Sequence, residues 1–193
     1  PMHRLLQGDV GSGKTVVAAL AAALAMDAGW QCALMAPTEI LAEQHFRKLV
    51  QWIEPLLTPL GRRVAWLTGS QKKKERLQML AAIESGEAAL VVGTHAVIQH
   101  DVHFHRLGLA IIDEQHRFGV EHKEKIKSLK VNIPVLTLTA TPIPRTLHMA
   151  LSGLREISLI RTPPVDRLPI RTFISKYDEA LIQRAVEFEL NRG

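Results

Sequence analysis

The stretch Arg4-Leu5-Leu6-Gln7-Gly8-Asp9-Val10-Gly11-Ser12-Gly13-Lys14-Thr15 decides how the rest of this chain is read. From Gly8 to Thr15 it satisfies G-x-x-x-x-G-K-[ST] at every fixed position. The apolar run Arg4–Gln7 before it reads as a short strand, and the Ala-rich run Lys14–Ala28 after it reads as a helix. Glycines let the backbone turn so that successive N–H groups aim inward at phosphate oxygens. A lysine in the place of Lys14 reaches β- and γ-phosphates, and a hydroxyl in the place of Thr15 is a ligand for Mg²⁺. The helix that starts at the loop adds the partial positive charge of its N-terminus. An ordinary Gly-rich turn before a helix is the alternative; the strand and helix on either side favour phosphate. Gly8, Asp9, Val10, Gly11, Ser12, Gly13, Lys14 and Thr15 are therefore expected to bind ATP, with Thr15 on the Mg²⁺.

Outward from this loop, apolar runs and helical patterns alternate. Strands are expected at Cys32–Ala36, Val64–Leu67, Ala89–Val92, Leu107–Ile112 and Val135–Leu138. Helices are expected at Ile40–Ile53, Lys72–Glu84, Glu121–Leu129 and Pro144–Leu151. Alternation of this kind predicts an α/β fold, a mostly parallel sheet with helices on both faces. Thr162-Pro163-Pro164 marks a linker over residues 162–168. Beyond it come a strand candidate, Ile170–Ile174, and a helix capped by Asp178 and running to about Asn191. One strand and one helix are too little for a core, so residues 1–161 are expected to form one domain and 169–193 the opening of a second.

A second chemical element stands at the end of Leu109-Ala110-Ile111-Ile112-Asp113-Glu114. An acid at a strand tip holds Mg²⁺ in P-loop enzymes, and a neighbouring carboxylate can take the proton of an attacking water. Asp113 is assigned to the metal and Glu114 to the water. Helix capping by Asp113 is the alternative reading.

Composition bounds the partners. The chain has 193 residues, 47% hydrophobic and 22% charged, which excludes a disordered chain. The longest uncharged apolar run, Val16 to Met26, is too short to span a bilayer, so no membrane partner is expected. Pro1-Met2-His3-Arg4 leads into a strand and not into an apolar h-region with a cleavage site, so no signal peptide is expected here. A single cysteine, Cys32, in an apolar run reads as a buried thiol and fits a reducing compartment, the cytoplasm. Net charge +5 permits a polyanionic partner without proving one, and Lys72-Lys73-Lys74, Arg62-Arg63 and Lys123 to Lys130 read as solvated faces. His100, His103 and His105 read as surface histidines rather than a zinc site.

Asp113-Glu114-Gln115-His116 is a DExH box, and with it the chain resembles a superfamily 2 helicase. Ala36 to Gln44 looks like motif Ia, Val92 to Ala96 like motif Ib, and Thr139-Ala140-Thr141 like motif III, all in the expected order. DEQHRFGV (from Asp113) and TATPIPRT (from Thr139) narrow the likeness to the RecG and Mfd group of DNA helicases and translocases. Up to about Val120 the wording is closer to RecG, and from His122 onward closer to Mfd.

The resemblance implies a RecA-like motor domain followed by the start of a second, acting in DNA repair or recombination in the bacterial cytoplasm. It implies DNA backbone contacts at Pro37, Thr38, Gly93, Thr94 and His95, since hydroxyls and amides touch phosphates without reading sequence. Strand-end capping competes for Thr38 and Thr94. Gln115, His116, Thr139, Ala140 and Thr141 would couple the γ-phosphate state to domain movement; Arg145 is read as structural or interdomain. An RNA polymerase partner is implied if the chain works as Mfd does. The family's adenine-recognition motif would precede Pro1 and its arginine finger follow Gly193, so the isolated chain is expected to bind ATP weakly and hydrolyse it slowly. A transporter ATPase is disfavoured because Leu154-Arg155 breaks the signature begun at Leu151-Ser152-Gly153. A nucleotide kinase would not need the DExH box, and a nucleotide-holding module without turnover remains the alternative.

Overall fold

The computed structural model describes residues 1–143, 156–165 and 172–192. Its centre is a sheet of seven strands in the order β3-β4-β2-β5-β6-β1-β7. The strands are β1 (His3–Gly8), β2 (Gln31–Met35), β3 (Arg63–Leu67), β4 (Ala88–Gly93), β5 (Leu107–Asp113), β6 (Val135–Thr139) and β7 (Glu156–Ile160). Every neighbouring pair is parallel. The helices are α1 (Lys14–Asp27), α2 (Glu39–Leu57), α3 (Lys73–Ser85), α4 (Val120–Leu129) and α5 (Glu179–Arg192).

All residues of β2, β4 and β6 are buried, the signature of strands covered on both faces. One face packs Ala18, Ala19, Ala22 and Met26 of α1 and Leu49, Ile53 and Leu57 of α2 against Leu34, Leu90, Ile111 and Leu138. The small side chains of α1 let that helix lie close to the sheet. The opposite face packs Ile83 of α3 and Ile126 of α4 against Met35, Leu67, Val91 and Ile112. Buried Gln31 ties the periphery to this core: its amide donates to the carbonyls of Ile83 (2.9 Å) and Ala88 (2.8 Å) and accepts from the Arg106 amide (2.7 Å). Cys32 is fully buried, with its Sγ 3.5 Å from the Ala22 carbonyl, and burial pushes the thiol up to about 12.

The strands expected from Arg4–Gln7 to Val135–Leu138 and the described helices form with shifts of a few residues at their ends. α2 outruns its expected end at Ile53, continuing through Pro55 to Leu57 because Leu57 is buried against the sheet. β7 has no counterpart in the sequence reading. It is a half-exposed edge strand with a polar residue at two of five positions, and its place is set by pairing. Arg4 of β1 helps fix that register, bonding the Ser158 hydroxyl (2.9 Å) and pairing with Glu156.

Residues 172–178 carry no regular structure, so the described end of the strand expected at Ile170–Ile174 is not a strand; Phe173 and Ile174 are exposed and pair with no strand among the described residues. The other end of that strand, the helix expected at Pro144–Leu151 and Arg145 lie outside the described residues. Asp178 does cap α5: its Oδ1 accepts from the amides of Ala180 (2.9 Å) and Leu181 (3.3 Å). No described helix is long and apolar enough to cross a membrane.

Candidate nucleotide site

A sheet with all strands parallel gathers their carboxyl ends along one edge, and ligand sites of open α/β sheets form there. Gly8 ends β1, Gly93 ends β4, Asp113 ends β5 and Thr139 ends β6, with Ala36 just past β2. The sheet order splits them into two groups. Gly8 to Thr15, Asp113 to His116 and Thr139 to Thr141 stand on adjacent strands β5, β6 and β1. Pro37 and Thr38 follow β2, and Gly93 to His95 end β4, towards the other side of the edge.

The loop after β1 turns on positive φ angles at Gly11 (77°) and Gly13 (100°). Gly13 is the N-cap of α1 and contributes no side-chain hydrogen bond, so the helix's first amides are left for another partner. Lys14 folds back over the loop, its Nζ donating to the carbonyls of Gly8 (2.7 Å) and Asp9 (2.8 Å). Burial lowers the Lys14 pKa from the ordinary lysine value, while Asp113, Glu114 and Asp9 pull it upward. The Ser12 hydroxyl is buried in the loop without a protein partner. Pro164, in the stretch read as a linker, lies against the loop, where a Cβ on Gly11 would come within 3.2 Å of its ring.

Facing the loop, Asp113 is buried at the tip of β5, and its Oδ2 lies 2.7 Å from His45 Nε2. His45 Nδ1 in turn lies 3.5 Å from the Thr15 hydroxyl. Glu114 has φ 46° and ψ 51°, the one positive φ of a non-glycine residue in the described chain. A conformation of that kind costs on the order of 1–3 kcal/mol and persists only when its surroundings hold it. They do so here: Glu114 Oε1 accepts from the Ala140 amide (2.8 Å) and Oε2 from the Thr139 hydroxyl (3.3 Å). His116 Nδ1 also lies 3.3 Å from Glu114 Oε2, and the Thr141 amide donates to the Thr139 hydroxyl at 3.1 Å.

These groups line one cleft of about 680 Å³, into which Val10, Gly11, Gly13, Lys14, Thr15, Asp113, Glu114, His116, Ala140 and Thr141 all project. Gly8, Asp9, Ser12 and Thr139 are not among the residues that line it. Gln115 is turned away, its Oε1 accepting from Lys130 Nζ (2.9 Å) and the Thr137 hydroxyl (3.5 Å). Pro37, Thr38, Gly93, Thr94 and His95 are outside the cleft. Thr38 caps α2, accepting from the Leu41 amide at 3.3 Å, and the buried Thr94 hydroxyl has no protein partner. His95 stacks on His122 with ring centres 4.1 Å apart, and burial, with His122 and Lys125 nearby, lowers its pKa.

Sequence reading missed the contribution of α2, which presents Leu41, Gln44, His45, Lys48 and Trp52 to the cleft, and it missed Arg117. The spacing of the α2 set is the signal that was there to be found: steps of three and four residues put all five on one helix face.

The donor set fits a nucleotide and its metal. Unpaired helix-start amides and an ammonium suit phosphate, a hydroxyl and a carboxylate are hard oxygen ligands of the kind Mg²⁺ takes, and the cleft's size is in the ordinary range for small-molecule sites. Among the described residues no group of three or more His, Cys, Asp or Glu side chains is arranged to hold a metal by protein ligands alone. Mg²⁺ ordinarily keeps waters and takes phosphate oxygens alongside one or two carboxylates.

Comparison with known proteins matches residues 2–150 to the family described as DEAD/DEAH box helicase. The transcription-repair-coupling factor of Bacillus subtilis (strain 168) is 48% identical over 193 residues, covering 100% of this chain and 16% of its own length. The ATP-dependent DNA helicase RecG of Synechocystis sp. is 54% identical over 175 residues, covering 90% of this chain and 20% of its own. Among solved structures, RecG bound to a three-way DNA junction superposes with a TM-score of 0.76 at 40% identity, over 100% of this chain and 25% of that one. The Hef helicase domain of Pyrococcus furiosus, 21% identical with a TM-score of 0.60 over 84% of this chain and 36% of that one, shares the fold. The chain thus spans a quarter or less of the RecG and transcription-repair relatives it matches.

Proposed function

The chain belongs to the DEAD/DEAH box helicase family, and from that premise we propose that it is the ATP-binding motor domain of an ATP-dependent DNA translocase of the RecG and Mfd type. The observation that carries this reading is the convergence of Lys14, Thr15, Asp113 and Glu114 on one cleft, with Glu114 gripped by Thr139 and Ala140. When bound, ATP with Mg²⁺ supplies the phosphoryl group and its charge compensation. Gly8 to Thr15 bind the phosphates through backbone amides and Lys14, and Thr15 and Asp113 hold the metal. Glu114 orients the attacking water and accepts its proton. Because the Ala140 amide and the Thr139 hydroxyl hold that carboxylate, a change at Glu114 during turnover is passed to the segment that follows β6. His116, 3.3 Å from the same carboxylate, belongs to this coupling, while the Gln115 side chain bonds Thr137 and Lys130.

DNA, in this reading, runs along the other half of the edge, over Pro37, Thr38 and Gly93 to His95, held by its backbone. The likeness to a RecG structure on a three-way junction favours branched DNA and a role in repair or recombination, inside the bacterial cytoplasm. The equally complete match to a transcription-repair-coupling factor supports a second reading, a translocase that works against stalled RNA polymerase. In either case the site is one wall of a two-domain motor, with residues 162–168 as the linker and 169–193 the start of the second RecA-like domain. The 193-residue chain alone therefore binds ATP weakly and turns it over slowly, since a trans-acting arginine contributes about 10³–10⁵ in rate in related phosphoryl transfer.

The test is fluorescence anisotropy with labelled duplex and junction DNA over a salt series, alongside ATPase assays. Weak DNA affinity that falls steeply with salt, and turnover near background, are expected. Salt-independent affinity would overturn the backbone mode, and robust DNA-stimulated hydrolysis by this chain alone would overturn the single-wall account.

A further inference from the structure

His45 is a buried polar side chain that the nucleotide chemistry above does not use. It sits on α2, between the two side chains expected to grip the metal: Nε2 is 2.7 Å from Asp113 Oδ2 and Nδ1 is 3.5 Å from Thr15 Oγ1. The three residues come from α2, the tip of β5 and the start of α1, so only the fold brings them together.

An ionised carboxylate accepts hydrogen bonds and donates none, so the proton in the short contact belongs to His45 Nε2. In the neutral ring the second nitrogen is then an acceptor, and the Thr15 hydroxyl is the donor that faces it. A hydroxyl that ligates a cation does so through an oxygen lone pair, and its hydrogen must point elsewhere. A carboxylate that serves a cation through one oxygen is best fixed by a hydrogen bond at the other. One imidazole meets both needs.

We propose that His45 is a positioning residue for the metal half of the site: Nε2–H holds the Asp113 carboxylate in place, and Nδ1 takes the hydrogen of the Thr15 hydroxyl so that its oxygen faces the metal. The proposal rests on the ATP–Mg²⁺ reading of the cleft, and it separates two functions within it. Phosphate binding belongs to Gly8 to Thr15 and Lys14, which His45 supports only through Thr15. Metal affinity belongs to the pair that His45 orients.

The test uses the 193-residue chain and a fluorescent ADP analogue, titrated in EDTA and then over a Mg²⁺ series, with a thermal melt of each variant as a folding check. His45→Ala is expected to leave affinity in EDTA within about twofold of the parent and to raise the half-saturating Mg²⁺ about ten- to a hundredfold, the usual loss when a ligand's outer partner is removed. His45→Gln, whose amide donor can still reach Asp113, is expected to recover most of that loss. Equal behaviour of His45→Ala and His45→Gln, or parallel losses with and without Mg²⁺, would reduce His45 to a packing role and overturn the proposal. A parent that binds no nucleotide would instead overturn the reading of the cleft itself. Nitrogen NMR of the parent imidazole without nucleotide provides the independent arm, because it needs neither ligand nor variant. The proposal requires a protonated Nε2 with Nδ1 unprotonated, and the reversed tautomer would overturn it.

Discussion

Along the carboxyl edge of the sheet, Asp113 and Glu114 are held by His45, Thr139 and Ala140, residues that lie 25 to 68 positions away in the chain. On the next two strands of the order, β2 and β4, the Thr38 side chain bonds only the amide three residues ahead of it, and the Thr94 hydroxyl bonds nothing in the protein. The nucleotide half of the edge is over-determined and the half assigned to DNA is not. Acid–base and metal chemistry depend on where a particular oxygen points, and fixing it takes partners from several elements. Contacts to a nucleic-acid backbone ask only for amides and hydroxyls at roughly the right spacing, and those can stay uncommitted until the strand arrives.

The largest test of this contrast is Glu114→Gln. It keeps the shape of the side chain and removes the base, so nucleotide affinity is expected to stay within a few-fold of the parent. Whatever slow hydrolysis the parent shows in single turnover should be lost. A variant that kept the parent's residual rate would place the base elsewhere.

Gly93→Ala probes the other half. A Cβ there would lie 1.8 Å from the carbonyl oxygen of Leu67, a backbone atom of its partner residue on β3. We expect a loss of about 1–3 kcal/mol or more in urea unfolding, from overpacking between β3 and β4. Nucleotide affinity well below the midpoint should be unaffected, which would sharpen the separation of the two halves.

Thr38→Ala removes a helix cap and is expected to cost about 1 kcal/mol of stability. A drop in nucleotide affinity with it would show that the two halves are coupled more tightly than their hydrogen bonds suggest.

The smallest effect concerns Cys32. Its folded thiol is held near 12 by burial against an ordinary value of 9.0, so folded and unfolded chains are both protonated at neutral pH and stability owes nothing to this group's titration. Above about pH 9 the unfolded thiol ionises while the folded one stays neutral, and stability should decline with rising pH. At pH 8 the native thiol should resist alkylation that urea makes fast.

Much of this was legible in the sequence because it is local. The loop from Gly8 to Thr15 carries its own turn residues, lysine and hydroxyl in eight consecutive positions, and β5 announces its tip by ending an apolar run in two acids. The parallel sheet followed from strands alternating with helices. What stayed hidden depends on pairing across the fold. β7 is a strand because β1 offers it an edge, and five residues with a Glu and a Ser do not say so by themselves. His45 falls just after a recognisable block, Ala36 to Gln44, but nothing in its neighbours tells that it stands between Thr15 and Asp113. Gln115 belongs to the DExH box by order, yet the short turn after β5 points it at Lys130 and Thr137.

The cleft between the glycine loop and the tip of β5 is proposed as the ATP site. Calorimetric titration of a non-hydrolysable ATP analogue with Mg²⁺, into the parent chain and into Lys14→Ala, tests it most directly. The parent should bind one equivalent, and Lys14→Ala should lose about a hundredfold or more, as expected when a charge-assisted contact to two phosphates is removed. Lys14→Ala binding as tightly as the parent would contradict the account at its base.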